Sequence, residues 1–259
     1  MITSPGNSKV KYIRRLQSER RFRQREQAFV VEGTRWVSEL AGLVTTAPIN
    51  LFYTETWAKV PEHAAILHQL NAATQPVTEA VMAAMSDTDT PQGVLAVLPH
   101  LPRPLPPSPS LLLILDGIST PGNLGTMLRT AAAAGVDGVL LGPGSVDVYN
   151  PKVVRASMGA LLRLPIHSLD WDEMATVTKH MSVWAAVVDE DARAYTAVSW
   201  QSPSALMIGG EAWGISDEGR RLATGCITIP IQADTESLNA AIATGIILFE
   251  AVRQRTPTY

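Results

Sequence analysis

The stretch from residue 98 to residue 110, LPHLPRPLPPSPS, divides the chain. It holds six prolines. Each removes a backbone donor and fixes φ, so neither a helix nor a central strand runs through it. It reads as a stiff linker. Two units are therefore expected, residues 1–98 and residues 111–259, joined by 99–110.

After the linker, LLLILD at 111–116 is a near-continuous apolar run, the pattern of a buried parallel strand. A helix is expected at 123–134, stopped by Gly135. GVLLG at 138–142 is the next strand, and a helix follows at 150–162 with Asn150 as cap and Pro151 in its first turn. VWAAVV (183–188), ALMIGG (205–210) and CITIPI (226–231) are further strands. A last helix is expected from about Ser237 to Arg253. Strand–helix alternation makes this an α/β unit with a mostly parallel sheet. Ligands in such sheets sit at the carboxyl ends of the strands.

The front of the chain alternates too. A basic helix is expected at 8–25, with Val10, Ile13 and Leu16 on one side. A strand follows at 28–33, a helix at 34–42 and a strand at 50–54. Helices at 61–71 and 78–85 and a strand at 93–98 complete a smaller α/β unit. The net charge is −3, yet residues 1–40 carry nine Lys or Arg against four Glu, which gives +5 there and −8 elsewhere. Such asymmetry suits either a polyanion partner or a solvated basic helix.

Several classes are poorly supported. No apolar run is long enough for a membrane span, and the first residues lack a signal peptide's apolar core, so a cytoplasmic protein is expected. One cysteine, Cys226, precludes an internal disulfide. The five histidines form no zinc pattern, and no metal is expected. GxSxG, GxGxxG and Walker A sequences are all absent, which disfavours a hydrolase, a dehydrogenase and a P-loop enzyme.

Three strand ends carry unusual residues. DGISTPGNLGTMLR at 116–129 holds Asp116, Asn123 and Arg129. Arg129 lies among small apolar residues, either snorkelling or placed for an anion. IGGEAWGISDE at 208–218 places Glu211 after a glycine pair; it could be a base, a helix cap or an ion-pair partner. Trp213 could stack on a base or fill the core. IPIQADTESLNAAIATG at 229–245 leads into the last helix, where Ser237 could cap the helix or help to cradle an anion.

Together these segments resemble the SpoU family of RNA 2′-O-ribose methyltransferases. The matches are Asn123-Leu-Gly125 with Arg129 and Gly135, Arg155-Ala-Ser157-Met-Gly159-Ala160, and Gly210-Glu211-Ala-Trp-Gly214. Ile229-Pro230 and Ser237-Leu238-Asn239 follow. Asn7, the basic run, Phe29-Val-Val-Glu32-Gly33 and Pro91-Gln92-Gly93-Val94 resemble the substrate-binding domain often fused to these enzymes. The chain departs from the pattern at Ala240-Ala241, where Val-Ser is frequent, and at bulky Trp213.

The resemblance implies a trefoil-knotted, S-adenosylmethionine-dependent methyltransferase unit, homodimeric through that unit, behind a front domain similar to small ribosomal RNA-binding proteins. It implies ribosomal RNA as substrate, with transfer RNA or a non-catalytic RNA-binding role as alternatives. It gives the catalytic set as Arg129, Asn123, Glu211, Ser237 and Asn239. The cofactor set is Gly210, Gly214, Ile229, Ile231, Thr235 and Leu238. RNA would meet Asn7, Lys9, Lys11, Arg20, Arg21, Arg23, Arg25, Arg35 and Arg155.

Overall fold

The structure is a computed structural model that describes residues 1–41, 49–70, 72–189, 191–232 and 236–256. Its contacts form two units: residues 1–101 with 149–159, and residues 102–148 with 160–259.

The first unit has a four-stranded sheet in the order β1-β4-β2-β3, formed by β1 (Ala28–Glu32), β2 (Ile49–Thr54), β3 (Ala72–Val77) and β4 (Val94–Pro99). β4 runs antiparallel to both β1 and β2, while β2 and β3 are parallel. Its helices before the linker are α1 (Ser8–Ser18), α2 (Arg20–Glu26), α3 (Thr34–Ala41), α4 (Glu55–Ala58), α5 (Pro61–Gln69) and α6 (Glu79–Met85). Val10, Ile13 and Leu16 of α1 pack with Phe52, Met82, Met85 and Val97 in one core.

The single basic helix expected at 8–25 is two helices. A continuous helix would carry Phe22, six residues past Leu16, off the apolar stripe. The extended backbone at Glu19 (φ −110°, ψ 107°) re-aims it, and Phe22 is buried in the core.

The same break corrects the role of Arg23. It is only 2% exposed, and its guanidinium donates to the Leu16 and Gln17 carbonyls at the end of α1, at 2.7 and 3.2 Å. It holds the break and offers no face to RNA. Arg23→Ala leaves those carbonyls short of a donor, at a cost of about 1–3 kcal/mol. Urea unfolding should show a lowered midpoint, and an unchanged midpoint would return Arg23 to the RNA-facing set.

The second unit has a seven-stranded sheet in the order β7-β6-β5-β10-β8-β11-β9. The strands are β5 (Leu111–Asp116), β6 (Gly138–Leu141), β7 (Ile166–Ser168), β8 (Ser182–Ala186), β9 (Arg193–Ala194), β10 (Ser204–Gly209) and β11 (Gly225–Thr228). Every pairing is parallel. Its helices are α7 (Pro121–Ala133), α9 (Trp171–Thr178), α10 (Asp217–Leu222) and α11 (Ala240–Arg255). The linker is no free tether: Leu105 packs against Gly138, and the Arg103 carbonyl meets the His167 ring at 2.8 Å.

One helix coded between β6 and β7, α8 (Pro151–Ser157), packs within the first unit. Asn150 caps it as expected, accepting from the Lys152 N–H at 2.9 Å. It is shorter than the helix expected to reach residue 162. Met158 (φ 48°) and Gly159 (φ 83°) are left-handed and end it, and a separate short 3-10 turn covers Ala160–Leu162. Tyr149, just before it, stacks on His100 with centroids 3.8 Å apart. Arg155 pairs with Asp87 at 2.7 Å.

The chain runs outward from β5 to β6 and β7, then returns to build β8 and β10 on the other side of β5. The crevice between β5 and β10 is thus the place where winding reverses, the usual ligand position in such sheets. Asp116 and Gly209 are paired at its mouth.

Candidate active site at the carboxyl ends of β5 and β10

Four loops converge here: residues 117–120 after β5, 210–214 after β10, the segment after β11, and the entry to α11. Backbone sterics set their closeness. A Cβ on Gly210 would lie 2.6 Å from the Gly117 carbonyl oxygen, and one on Gly209 would collide with the Gly214 carbonyl carbon. Only glycine allows these crossings. Asp116 is buried, and its carboxylate accepts the Ser216 N–H at 2.6 Å, tying β5 to the start of α10.

Three of the expected catalytic side chains form one hydrogen-bonded chain. The Asn239 amide donates to Asn123 Oδ1 at 3.1 Å. The Asn123 amide donates to Glu211 Oε1 at 2.8 Å. Glu211 Oε2 accepts from the Ser119 N–H at 3.3 Å and from its hydroxyl at 3.2 Å.

Asn239 is also the N-cap of α11, its Oδ1 accepting from the Ala241 and Ile242 N–H groups at 2.9 and 3.3 Å. The last helix therefore starts at Ala240 and not near Ser237. The Asn239 amide oxygen satisfies the first-turn donors for which Ser237 was one candidate cap. Ser237 is exposed and lines the cavity described next.

Burial pushes the Glu211 carboxyl up, but hydrogen bonds from Asn123, its own backbone, Thr120 and Ser119 outweigh it and bring the pKa to about 2. A carboxylate held so firmly ionised is a poor proton acceptor at neutral pH. Of the roles open to Glu211, the geometry supports the acceptor that clasps the β5–α7 loop.

Beside this chain is a cavity of about 490 Å³, within the range of small-molecule sites. Its apolar walls include Ile208, Ile229, Ile231, Leu238 and Ile247, and its polar rim includes Glu211, Asn239 and Ser237. Gly210 and Gly214 also line it. Five of the six expected cofactor residues thus share one cavity, and the sixth, Thr235, lies outside the described residues. β11 ends at Thr228, so Ile229 and Ile231 reach the cavity from the segment beyond the strand. Apolar walls with a few polar groups and close backbone suit an adenosine-sized ligand that carries a sulfonium and an amino-acid tail.

Arg129 is not part of the hydrogen-bonded chain and does not line the cavity. It is exposed on α7, and among the described residues no acceptor holds its guanidinium. Trp213 fills no core, being 93% exposed. Asp189 and Arg220 also line the cavity and were not singled out in the sequence. Asp189 follows β8, so the strand-end rule could have found it.

The RNA-facing set is dispersed over the first unit. Asn7 caps α1, accepting from the Lys9 N–H at 2.9 Å. Lys9, Lys11, Arg20 and Arg21 are exposed. Arg25 pairs with Glu26 at 2.7 Å, and Arg35 lies 3.8 Å from Glu39. Among the described residues no group of His, Cys, Asp and Glu could hold a metal ion, and no helix is long and apolar enough to cross a membrane.

Comparison with known proteins adds to this geometry. A model of the SpoU rRNA methylase family matches residues 110–249, and a model of the MRM3-like substrate-binding domain matches residues 7–96. An uncharacterised tRNA/rRNA methyltransferase of Synechocystis is 35% identical over 98% of this chain and 94% of its own length. The 23S rRNA (guanosine(2553)-2′-O)-methyltransferase of Bacillus subtilis is 27% identical over 96% of this chain and 97% of its own. Among solved structures, an AdoMet-bound rRNA methyltransferase from Sinorhizobium meliloti superposes with a TM-score of 0.86 at 30% identity, covering 99% of this chain and 98% of that one.

Proposed function

The chain belongs to the SpoU rRNA methylase family, and on that premise we propose that the crevice between β5 and β10 is its methyl-transfer site, framed by Asn123, Glu211 and Asn239. The protein is an S-adenosylmethionine-dependent RNA ribose-2′-O methyltransferase, and its substrate is ribosomal RNA. The observation that carries the site assignment is the Asn239–Asn123–Glu211 chain at the rim of the cavity.

Gly210, Gly214, Ile229, Ile231 and Leu238 would hold S-adenosylmethionine, and Thr235 belongs to the same proposed set. When bound, the cofactor supplies an electrophilic methyl group on sulfonium. The residues of this chain have the task of orientation. Glu211 fixes the loop after β5 through Ser119, and Asn123 and Asn239 align that loop with α11. Ser237, exposed on the rim, helps to orient the RNA. Arg129 binds the phosphate beside the target ribose through its planar guanidinium fork.

The knotted topology belongs to the same proposal. It is supported by the match of residues 110–249 to the SpoU rRNA methylase family. So does a homodimer through this unit: Ile242 and Phe249, seven residues apart on α11, are 57% and 50% exposed and share a helix face that a second copy would cover.

The test is methyl transfer from labelled S-adenosylmethionine to ribosomal and transfer RNA from cells lacking the gene, with nuclease mapping. Label on one ribosomal ribose is expected. Label on transfer RNA alone would overturn the substrate, and label on a base would overturn the 2′-O assignment.

RNA capture is assigned to the exposed basic residues of the first unit, including Arg20, Arg21 and Arg25. Replacing these three with Gln should weaken binding and reduce the slope of log K against log salt by roughly 2, at about 0.7 per lost single-strand phosphate contact. A slope that does not move would remove α2 from the RNA path.

A further inference from the structure

We infer that Trp213 is a stacking platform for a nucleobase of the RNA beside the methyl-transfer cavity, an inference that rests on RNA being the substrate. A single exposed apolar side chain needs no explanation in general. Trp213 differs in the rigidity of its support and in its place.

The loop that carries it is pinned at both ends. The Gly214 N–H donates to the Gly210 carbonyl at 2.9 Å, and the two residues form an antiparallel bridge. Between them, Glu211 is tied to Asn123 on α7 and to Ser119. Trp213 therefore stands on a fixed base, and little loop entropy is lost when a ligand settles on it.

Its neighbours define the ligand. Gly210, Glu211 and Gly214 line the cavity, whereas Trp213 does not. The indole is thus beside the pocket rather than within it. What it meets is a group next to the cavity's occupant and open to solvent. A base attached to a ribose at the cavity mouth has that position, and its flat π-face suits an indole. Arg220, exposed and lining the same cavity, provides a positive charge for the strand's phosphates. The other five tryptophans are less open: Trp36, Trp57 and Trp200 are 6%, 5% and 0% exposed, and Trp171 and Trp184 are half-buried.

The experiment uses the full chain, Trp213→Phe and Trp213→Ala, a dye-labelled single-stranded RNA oligonucleotide of mixed sequence, and a large-subunit ribosomal RNA transcript. Wild-type indole emission should lose its solvent-exposed component on RNA binding, and Trp213→Phe should lack that component from the start. Trp213→Phe should bind the oligonucleotide within about twofold of wild type, and Trp213→Ala about tenfold more weakly. KM for the transcript should rise in Trp213→Ala with kcat held, and S-adenosylmethionine should bind all three proteins alike. The inference is overturned if Trp213→Ala binds RNA as tightly as wild type. It is also overturned if that variant converts a dimer to a monomer in sedimentation, which would make the indole a subunit contact. Failure of the wild-type protein to bind either RNA would instead overturn the RNA-methyltransferase reading, and this inference with it.

Discussion

Arg129→Ala is expected to lower kcat for RNA methylation by about a hundredfold to a thousandfold while S-adenosylmethionine affinity stays within about twofold. The split follows from where the residue sits. Arg129 is exposed on α7 and does not line the cavity, so its removal opens no core and touches no wall of the cavity proposed for the cofactor. Its neighbours Met127, Leu128 and Ala131 are buried and hold the helix without it. In the proposed role, what is lost is a planar cation for a phosphate, and with it the alignment of the adjoining ribose. Arg129→Lys keeps the charge and loses the fork, so it should recover only part of the rate. Single-turnover methyl transfer and calorimetric cofactor binding read the two quantities separately. Normal turnover by Arg129→Ala would remove it from the catalytic set.

The layout of this site was legible wherever local chemistry determined it. Asp116 at the end of the apolar run 111–116 and the glycine pair at 209–210 lie at the carboxyl ends of β5 and β10, and Ser237 and Asn239 precede α11 beside them. The family resemblance was carried by residues that follow such strand ends, among them Asn123 with Arg129, Gly210-Glu211 and Ser237-Leu238-Asn239. Less legible was whatever depended on partners far away in sequence. That Asn239 rather than Ser237 caps α11 follows from the Asn amide serving the helix and Asn123 at once, 116 residues apart. Arg23 looked identical to its basic neighbours, and only the break at Glu19 turns it inward to the carbonyls of α1. The short strands β7 and β9 give too little periodicity to be read, and α10 is a six-residue helix. The packing of α8 within the first unit rests on Tyr149 and Arg155 meeting His100 and Asp87. No pattern within 149–159 encodes that.

Glu211→Gln should cost about a hundredfold in kcat/KM although it is nearly isosteric. The carboxylate accepts on both oxygens, from Asn123 on one and from the Ser119 N–H and hydroxyl on the other. A glutamine retains one acceptor and turns a donor towards the other position. The Ser119 hydroxyl can rotate to accept, but the backbone N–H cannot. One donor is left facing another, a loss of about 1–3 kcal/mol. That is enough to free the β5–α7 loop from the segment after β10.

The depressed pKa has a matching consequence. A carboxyl brought down to about 2 stabilises the fold above its unfolded value, and that contribution is lost as pH falls through the folded one. The clasp should therefore hold throughout the neutral range, and activity near neutral pH should show no limb that belongs to Glu211. Because Asn123 and Glu211 act through one hydrogen bond, Asn123→Ala and Glu211→Gln should not add. The double variant should be little worse than the poorer single one. Additive losses would mean that the two side chains serve the reaction independently, and the hydrogen-bonded frame would then have to be abandoned as the organising element of the site.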